Sequence, residues 1–137
     1  MGIHTSLLAI VAVTFLTFLL GALWYSPLLF GRLWVRAHGY TPEKLVEMRT
    51  GAARAYGVSL VCYAVMAVCL AVLIEQLGIH SAPAGARLGA LCWLGFAATI
   101  GLTANMFSEK PLSTYLIDAG FQLVYLVAMS VLLALWR

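Results

Sequence analysis

LSTYLIDAGFQLVYLVAMSVLLALW, residues 112–136, is the stretch whose reading decides the fold. At about 1.5 Å of rise per residue it makes a helix of about 37 Å, long enough to cross a hydrocarbon core of roughly 30 Å. It also carries Asp118 well inside the run. Thr114, Gln122, Tyr125 and Met129 share the helical face of Asp118. A carboxylate within a membrane span costs roughly 2.5–3.5 kcal/mol on insertion scales, so it normally faces a partner or a wet cavity. That face is the first candidate for a functional site.

Composition agrees with a membrane chain. Of 137 residues, 64% are hydrophobic and 9% charged, against about 45–50% apolar and about 25% charged in a soluble domain. The length suits one compact unit, so residues 1–137 are read as a single four-helix membrane domain. The net charge of +3 is not a nucleic-acid signal, because most basic residues flank apolar runs, the usual mark of topology. Cys62, Cys69 and Cys92 lie within apolar runs and read as buried small hydrophobes. Cys62 and Cys69, seven residues apart on one helix, are too far apart for a disulfide. No CxxC or Cys/His ligand spacing occurs, and His4, His38 and His80 are isolated, so no metal or cofactor is expected.

The spans are expected at about 6–25, 53–77, 87–107 and 112–136, giving an all-α integral membrane protein. The first lacks the basic n-region of a signal peptide and reads as a retained span. Thr14, Thr17, Gly21 and Trp24 form a stripe on it suited to helix packing. Trp24 and Tyr25 suit the interface belt, and Pro27 ends the helix. LLFGRLWVRAHGY then places Phe30, Leu33 and Trp34 on one side and Arg32 and Arg36 on another, predicting a short amphipathic helix in the headgroup region. Thr41-Pro42-Glu43 starts a second short helix that runs to about Thr50. IHSAPAGAR reads as a loop with a proline-glycine break. Gly85-x-x-x-Gly89 and Ala97-x-x-x-Gly101 permit close helix approach in the third span.

Arg32, Arg36, Lys44, Arg49, Arg54 and Lys110 lie on one side of the membrane in this arrangement, against Arg87 and Arg137 on the other. The bias predicts both termini outside and loop 26–54 in the cytoplasm, in a bacterial inner (plasma) membrane. The same loop is expected to contact anionic lipids through Arg32, Arg36, Lys44 and Arg49.

Folding the last two spans at Glu109-Lys110 brings Asp118 level with Gly101, and Asn105 level with Thr114. Tyr25, Arg54, Tyr56 and Ser59 are expected at a similar depth. The predicted site is therefore a polar layer of Asp118, Gln122, Asn105, Tyr56, Ser59 and Tyr25, with Arg54 at its mouth. The alternative is structural: Asp118 pairs with Arg54, accepts hydrogen bonds from Tyr and Asn, or stays protonated, and holds the helices in register.

Two stretches, GALWYSPLLFGRLW (residues 21–34) and NMFSEKPLSTYLIDAGFQLVYLVAMSVLLALW (residues 105–136), resemble the family called domain of unknown function 1761. The specific parts are Trp24-Tyr25-Ser26-Pro27 and Asp118-Ala119-Gly120. The resemblance implies one span, a basic interfacial loop and three further spans in a membrane, and no particular activity. The family pattern often carries His where Gln122 stands here, so the resemblance does not supply an acid–histidine relay.

The expected function is a channel, transporter or small-ligand site built on the Asp118 layer, in a homo-oligomer because four spans enclose little volume. The alternative is a membrane scaffold or accessory protein with Asp118 as a lock. No paired carboxylates, Ser/His/Asp set, P-loop or dinucleotide fingerprint is present, so an enzyme and a nucleic-acid binder are not expected.

Overall fold

The computed structural model describes residues 5–136; His4 and Arg137 lie outside them. Seven α-helices follow in order: α1 Leu7–Trp24, α2 Gly31–His38, α3 Pro42–Arg49, α4 Ala52–Leu77, α5 Ala82–Cys92, α6 Ala98–Phe107 and α7 Leu112–Leu135. A π-helical turn, Trp93–Ala97, joins α5 to α6 as one continuous rod. Four rods, Leu7–Trp24, Ala52–Leu77, Ala82–Phe107 and Leu112–Leu135, are long and apolar enough to cross a membrane. No strand occurs among the described residues.

Local sequence explains the boundaries. Ser6 accepts from Leu8 N and caps α1, while Thr41 accepts from Lys44 N and caps α3 ahead of Pro42. Ser81 does the same for α5, accepting from Ala84 N at 3.3 Å. Pro83 therefore sits in the first helical turn, where its missing N–H costs nothing, and IHSAPAGAR is mostly helix rather than loop. Gly39 and Gly78 end α2 and α4 in the left-handed conformation.

The core is organised around α7, which packs against α1, α2, α4 and α5. Val13, Ala67, Ala71, Ile74, Met129, Leu133 and Ala134 are almost wholly buried there. The stripe on α1 faces inward as expected: Thr14 and Thr17 are buried, and each donates back to its own helix, to Ile10 O and Val13 O. Glycine sets the closest approach in the bundle. A Cβ on Gly89 would stand 2.5 Å from Leu126 O, and one on Gly85 would stand 2.9 Å from Ser130 O. The Gly85-x-x-x-Gly89 pattern thus lets α5 lie backbone to backbone on α7.

The π turn resets the phase of the third rod. One extra residue in a turn rotates the downstream helix by about 100°. Ala98 and Asn105 accordingly face α7, like Gly85 and Gly89 before the turn, while Leu94 points outward. An unbroken α-helix would put Leu94 on the face of Ala98, Gly101 and Asn105; the π turn takes it off that face. Cys62 and Cys69 are exposed and Cys92 half-buried, so the reading of all three as buried is also corrected. In a membrane chain the outer surface is apolar too, and hydrophobic character alone does not distinguish core from lipid face.

Candidate functional site

Asp118 lies six residues into α7, about 9 Å from its start, level with the end of α1. Tyr25, immediately after α1, donates its hydroxyl to Asp118 Oδ1 at 2.6 Å, and Trp34 on α2 donates Nε1–H to the same oxygen at 3.1 Å. Both bonds fall on Oδ1; among the described residues Oδ2 takes none. No cationic side chain forms an ion pair with the carboxylate there, the ion pair present being Lys44–Glu47 at 3.8 Å.

The segment between α1 and α2 makes this geometry. Ser26 Oγ donates to Leu23 O, Phe30 N to Trp24 O, and Gly31 N to Ser26 O, folding residues 24–31 into a tight reversal. Gly31 is required at its centre, since a Cβ would stand 2.3 Å from Tyr25 O and 2.9 Å from Ser26 O. The reversal brings α2 back onto α7, with Trp34 half-buried against the bundle and Arg32 and Arg36 exposed. Two further indoles bind the same helix. Trp24 Nε1 donates to Ile117 O at 3.2 Å, and Trp93 Nε1, from the π turn, donates to Ala119 O at 2.8 Å. Three tryptophans thus place their N–H groups on three consecutive residues of α7. Gly120 leaves room for one of them, as a Cβ there would meet Trp24 Cζ2 at 3.3 Å.

Aromatic contacts continue from this point into the core. The Tyr25 ring meets Phe121 edge-on at 5.4 Å, Phe121 meets Tyr125 at 4.9 Å, and Tyr125 meets Tyr63 at 5.5 Å. In the other direction Trp34 lies 4.2 Å from His38, which stacks on Tyr40 at 4.8 Å. His38 Nδ1 is 2.9 Å from Trp34 O.

A cleft of roughly 170 Å³, which Asp118 also lines, lies between α6 and α7 near their connecting turn. Gly101, Asn105, Ser108, Lys110, Thr114, Asp118 and Gln122 are among its lining residues. The expected pairing of levels is correct here: Thr114 Oγ1 donates to Asn105 Oδ1 at 3.2 Å, and the Tyr115 ring lies against Gly101. Asn105 Nδ2 donates to Lys110 O at 3.1 Å, so both ends of this amide are committed to closing the hairpin. Gln122, half-buried, makes no hydrogen bond among the described residues and lines the cleft one turn beyond Asp118.

The predicted layer therefore divides. Asp118, Gln122, Asn105 and Tyr25 are brought together. Arg54, Tyr56 and Ser59 are not: Arg54 is exposed and forms no ion pair among the described residues, Tyr56 packs edge-on against Phe18 at 5.6 Å, and Ser59 is half-buried and is not among the residues lining the cleft. Of the structural alternatives, the Arg54–Asp118 pair does not form; a tyrosine, Tyr25, donates to the carboxylate, and Trp34 supplies the second donor where Asn was expected. Trp34 was missed because an amphipathic pattern places it on the lipid side. The available signal was the indole N–H, which needs an acceptor once buried, next to a glycine able to turn the chain. Trp24 likewise points inward, onto Ile117 O.

Among the described residues no three His, Cys, Asp or Glu side chains converge as a metal site. No curated protein and no solved structure matches the chain. One family model does match, over residues 8–134, which takes in both ends of the indole-carboxylate cluster and the cleft. The chain therefore belongs to the family described as protein of unknown function, DUF1761.

Proposed function

We propose that this chain is a small-cation binding subunit of a membrane transport assembly, with Asp118 as the anchoring carboxylate. The observation that carries the reading is a carboxylate held in place by two neutral donors and lining a cleft, with no cationic partner among the described residues. A charge at this depth is stabilised by an opposite charge; Lys110 lines the same cleft without pairing with Asp118, and the reading assigns the counter-charge to a bound cation. One carboxylate oxygen and the Gln122 amide, a turn apart, suit a protonated primary amine with its several N–H donors. They do not suit a divalent metal ion, which takes six or more oxygens or several retained waters. The open cleft of roughly 170 Å³ has room for an amine of a few heavy atoms.

Beyond the Asp118 layer the bundle interior is filled by Val13, Ala71, Ile74, Met129 and Leu133. A polar path through one chain is closed by these residues, so transport would run between copies of the chain. One observation favours a second reading. Oδ1 ties α2 to α7 through Trp34, which would make Asp118 a structural lock of a scaffold protein.

Asp118→Asn separates the two. The variant keeps the shape and an acceptor oxygen while removing the charge. Ethanolamine or methylamine titrated into protein in nanodiscs is followed by tryptophan emission, with Trp34 as the built-in reporter. A saturable change in the wild type that is lost in Asp118→Asn supports cation binding. No saturable change in the wild type, or the same change in the variant, overturns it.

A further inference from the structure

We propose that α2 is a latch closed by anionic phospholipid, with Arg32 and Arg36 taking a lipid phosphate on one face while Trp34 seats the opposite face on Asp118. The latch is argued from α2 and its arginines and does not require that the cleft bind a cation.

The geometry of the helix comes first. Arg32 and Arg36 are four residues apart on α2, one turn, and so share a face. Trp34 lies two positions from each, about 200° around the helix, and is therefore on the other side. The Trp34 face is committed to α7 through the bond to Asp118 Oδ1. The arginine face is uncommitted: both side chains are exposed, and neither makes a hydrogen bond or ion pair among the described residues. Lys44 by contrast is neutralised by Glu47.

Position identifies the occupant. α2 begins seven residues after the end of α1, and the chain returns to a second membrane-length helix at Ala52. The α2–α3 arm is thus tethered at both ends to spans and cannot leave the membrane surface. Leu28, Leu29 and Leu33 flank the two arginines and are exposed, Leu28 by 83%. Paired guanidinium groups beside exposed leucines, held at the level where a span leaves the bilayer, fit a phosphodiester with acyl chains below it. A soluble anion would leave the leucines in water.

Coupling follows from the size of α2. A helix of eight residues is not stable by itself in water. Its order comes from docking on α7 at one face, and a lipid phosphate on the other face adds to the same equilibrium. The lipid favours the docked helix only by what the arginines gain when ordered on α2 over the same arginines on an undocked arm, so about five-fold for each and about thirty-fold for the two is the upper bound.

The test compares hydrogen exchange of the α2 amides in nanodiscs of phosphatidylcholine alone and with a third of the lipid replaced by phosphatidylglycerol. In the wild type the α2 amides exchange up to about thirty-fold more slowly in the anionic discs, and the difference shrinks as salt is added. Arg32→Gln with Arg36→Gln abolishes the difference, while Arg32→Lys with Arg36→Lys retains most of it. Equal exchange of the wild type in both discs overturns the proposal, as does an undiminished difference in the glutamine variant. Should that variant fail to fold, a wild-type difference that is insensitive to salt overturns it equally. Inorganic phosphate added to phosphatidylcholine discs leaves exchange unchanged; full protection by phosphate alone would overturn the lipid assignment. Both kinds of disc are free of added amine, and the amine titration is run in phosphatidylcholine discs alone, so loss of amine binding and loss of lipid sensing are read separately.

Discussion

Replacing Asp118 with Ala and with Asn gives opposite answers about the same carboxylate. Alanine removes the acceptor of two bonds, from the Tyr25 hydroxyl at 2.6 Å and from Trp34 Nε1 at 3.1 Å. Side-chain hydrogen bonds between membrane helices average about 0.6 kcal/mol and reach about 1.7 kcal/mol. A hydroxyl and an indole N–H left without an acceptor add a desolvation cost of about 1–3 kcal/mol where water does not reach them. The cleft admits water to this layer, so Asp118→Ala is expected to lose about 1–3 kcal/mol in total. Asparagine keeps Oδ1 for both donors and turns its amide to the cleft. It forfeits only the charge-assisted part of the two bonds, and it removes a charge that costs up to about 3 kcal/mol at the centre of a span and less near the end of one, where Asp118 lies. Asp118→Asn is therefore expected to match or exceed the wild type in stability while losing amine binding. The assay is thermal or denaturant unfolding in one detergent, run beside the amine titration. A destabilisation of the asparagine variant equal to that of the alanine variant would refute this reasoning, since the charge itself would then be holding the fold.

Three other perturbations test the backbone and the orientation. Gly31→Ala places a methyl 2.3 Å from Tyr25 O, so the reversal must open; a loss of about 1–3 kcal/mol and faster exchange of α2 amides are expected, and wild-type exchange would count against the tight turn. Gly89→Ala places a methyl 2.5 Å from Leu126 O and 2.7 Å from Val127 Cα, both backbone. It should separate the third rod from α7 and lower the unfolding midpoint, whereas Gly95→Ala, with open space at its Cβ, should not. Reporter fusions are expected to place residue 45 in the cytoplasm and the C-terminus outside, in keeping with the basic residues of loop 26–54; the opposite pattern of reporter activity would reverse the orientation.

Four apolar runs were legible in the chain because a hydrocarbon core demands about 20 apolar residues and internal backbone hydrogen bonding; the Ser81 cap that starts the third rod at Ala82 was not. Those requirements are local, so length and composition express them. Asp118 was equally legible, since an ionisable residue in such a run stands out by its cost. The level of Asn105 against Thr114 came from counting back from a tight turn. Tertiary structure alone decided what Asp118 touches. The basic residues suggested Arg54, but a helix pattern gives no account of which loop folds back. Gly31 permits a reversal that carries α2 onto α7 and delivers Trp34 in place of an arginine. The π turn is the second such decision. One extra residue turns Asn105 inward and Leu94 outward and brings the Trp93 indole to Ala119 O, beside the carboxylate. Periodicity cannot anticipate either event, because in a membrane chain apolar side chains face lipid and core alike. Which face turns inward is set by the close contacts that glycine allows and by the acceptors that buried N–H groups must find.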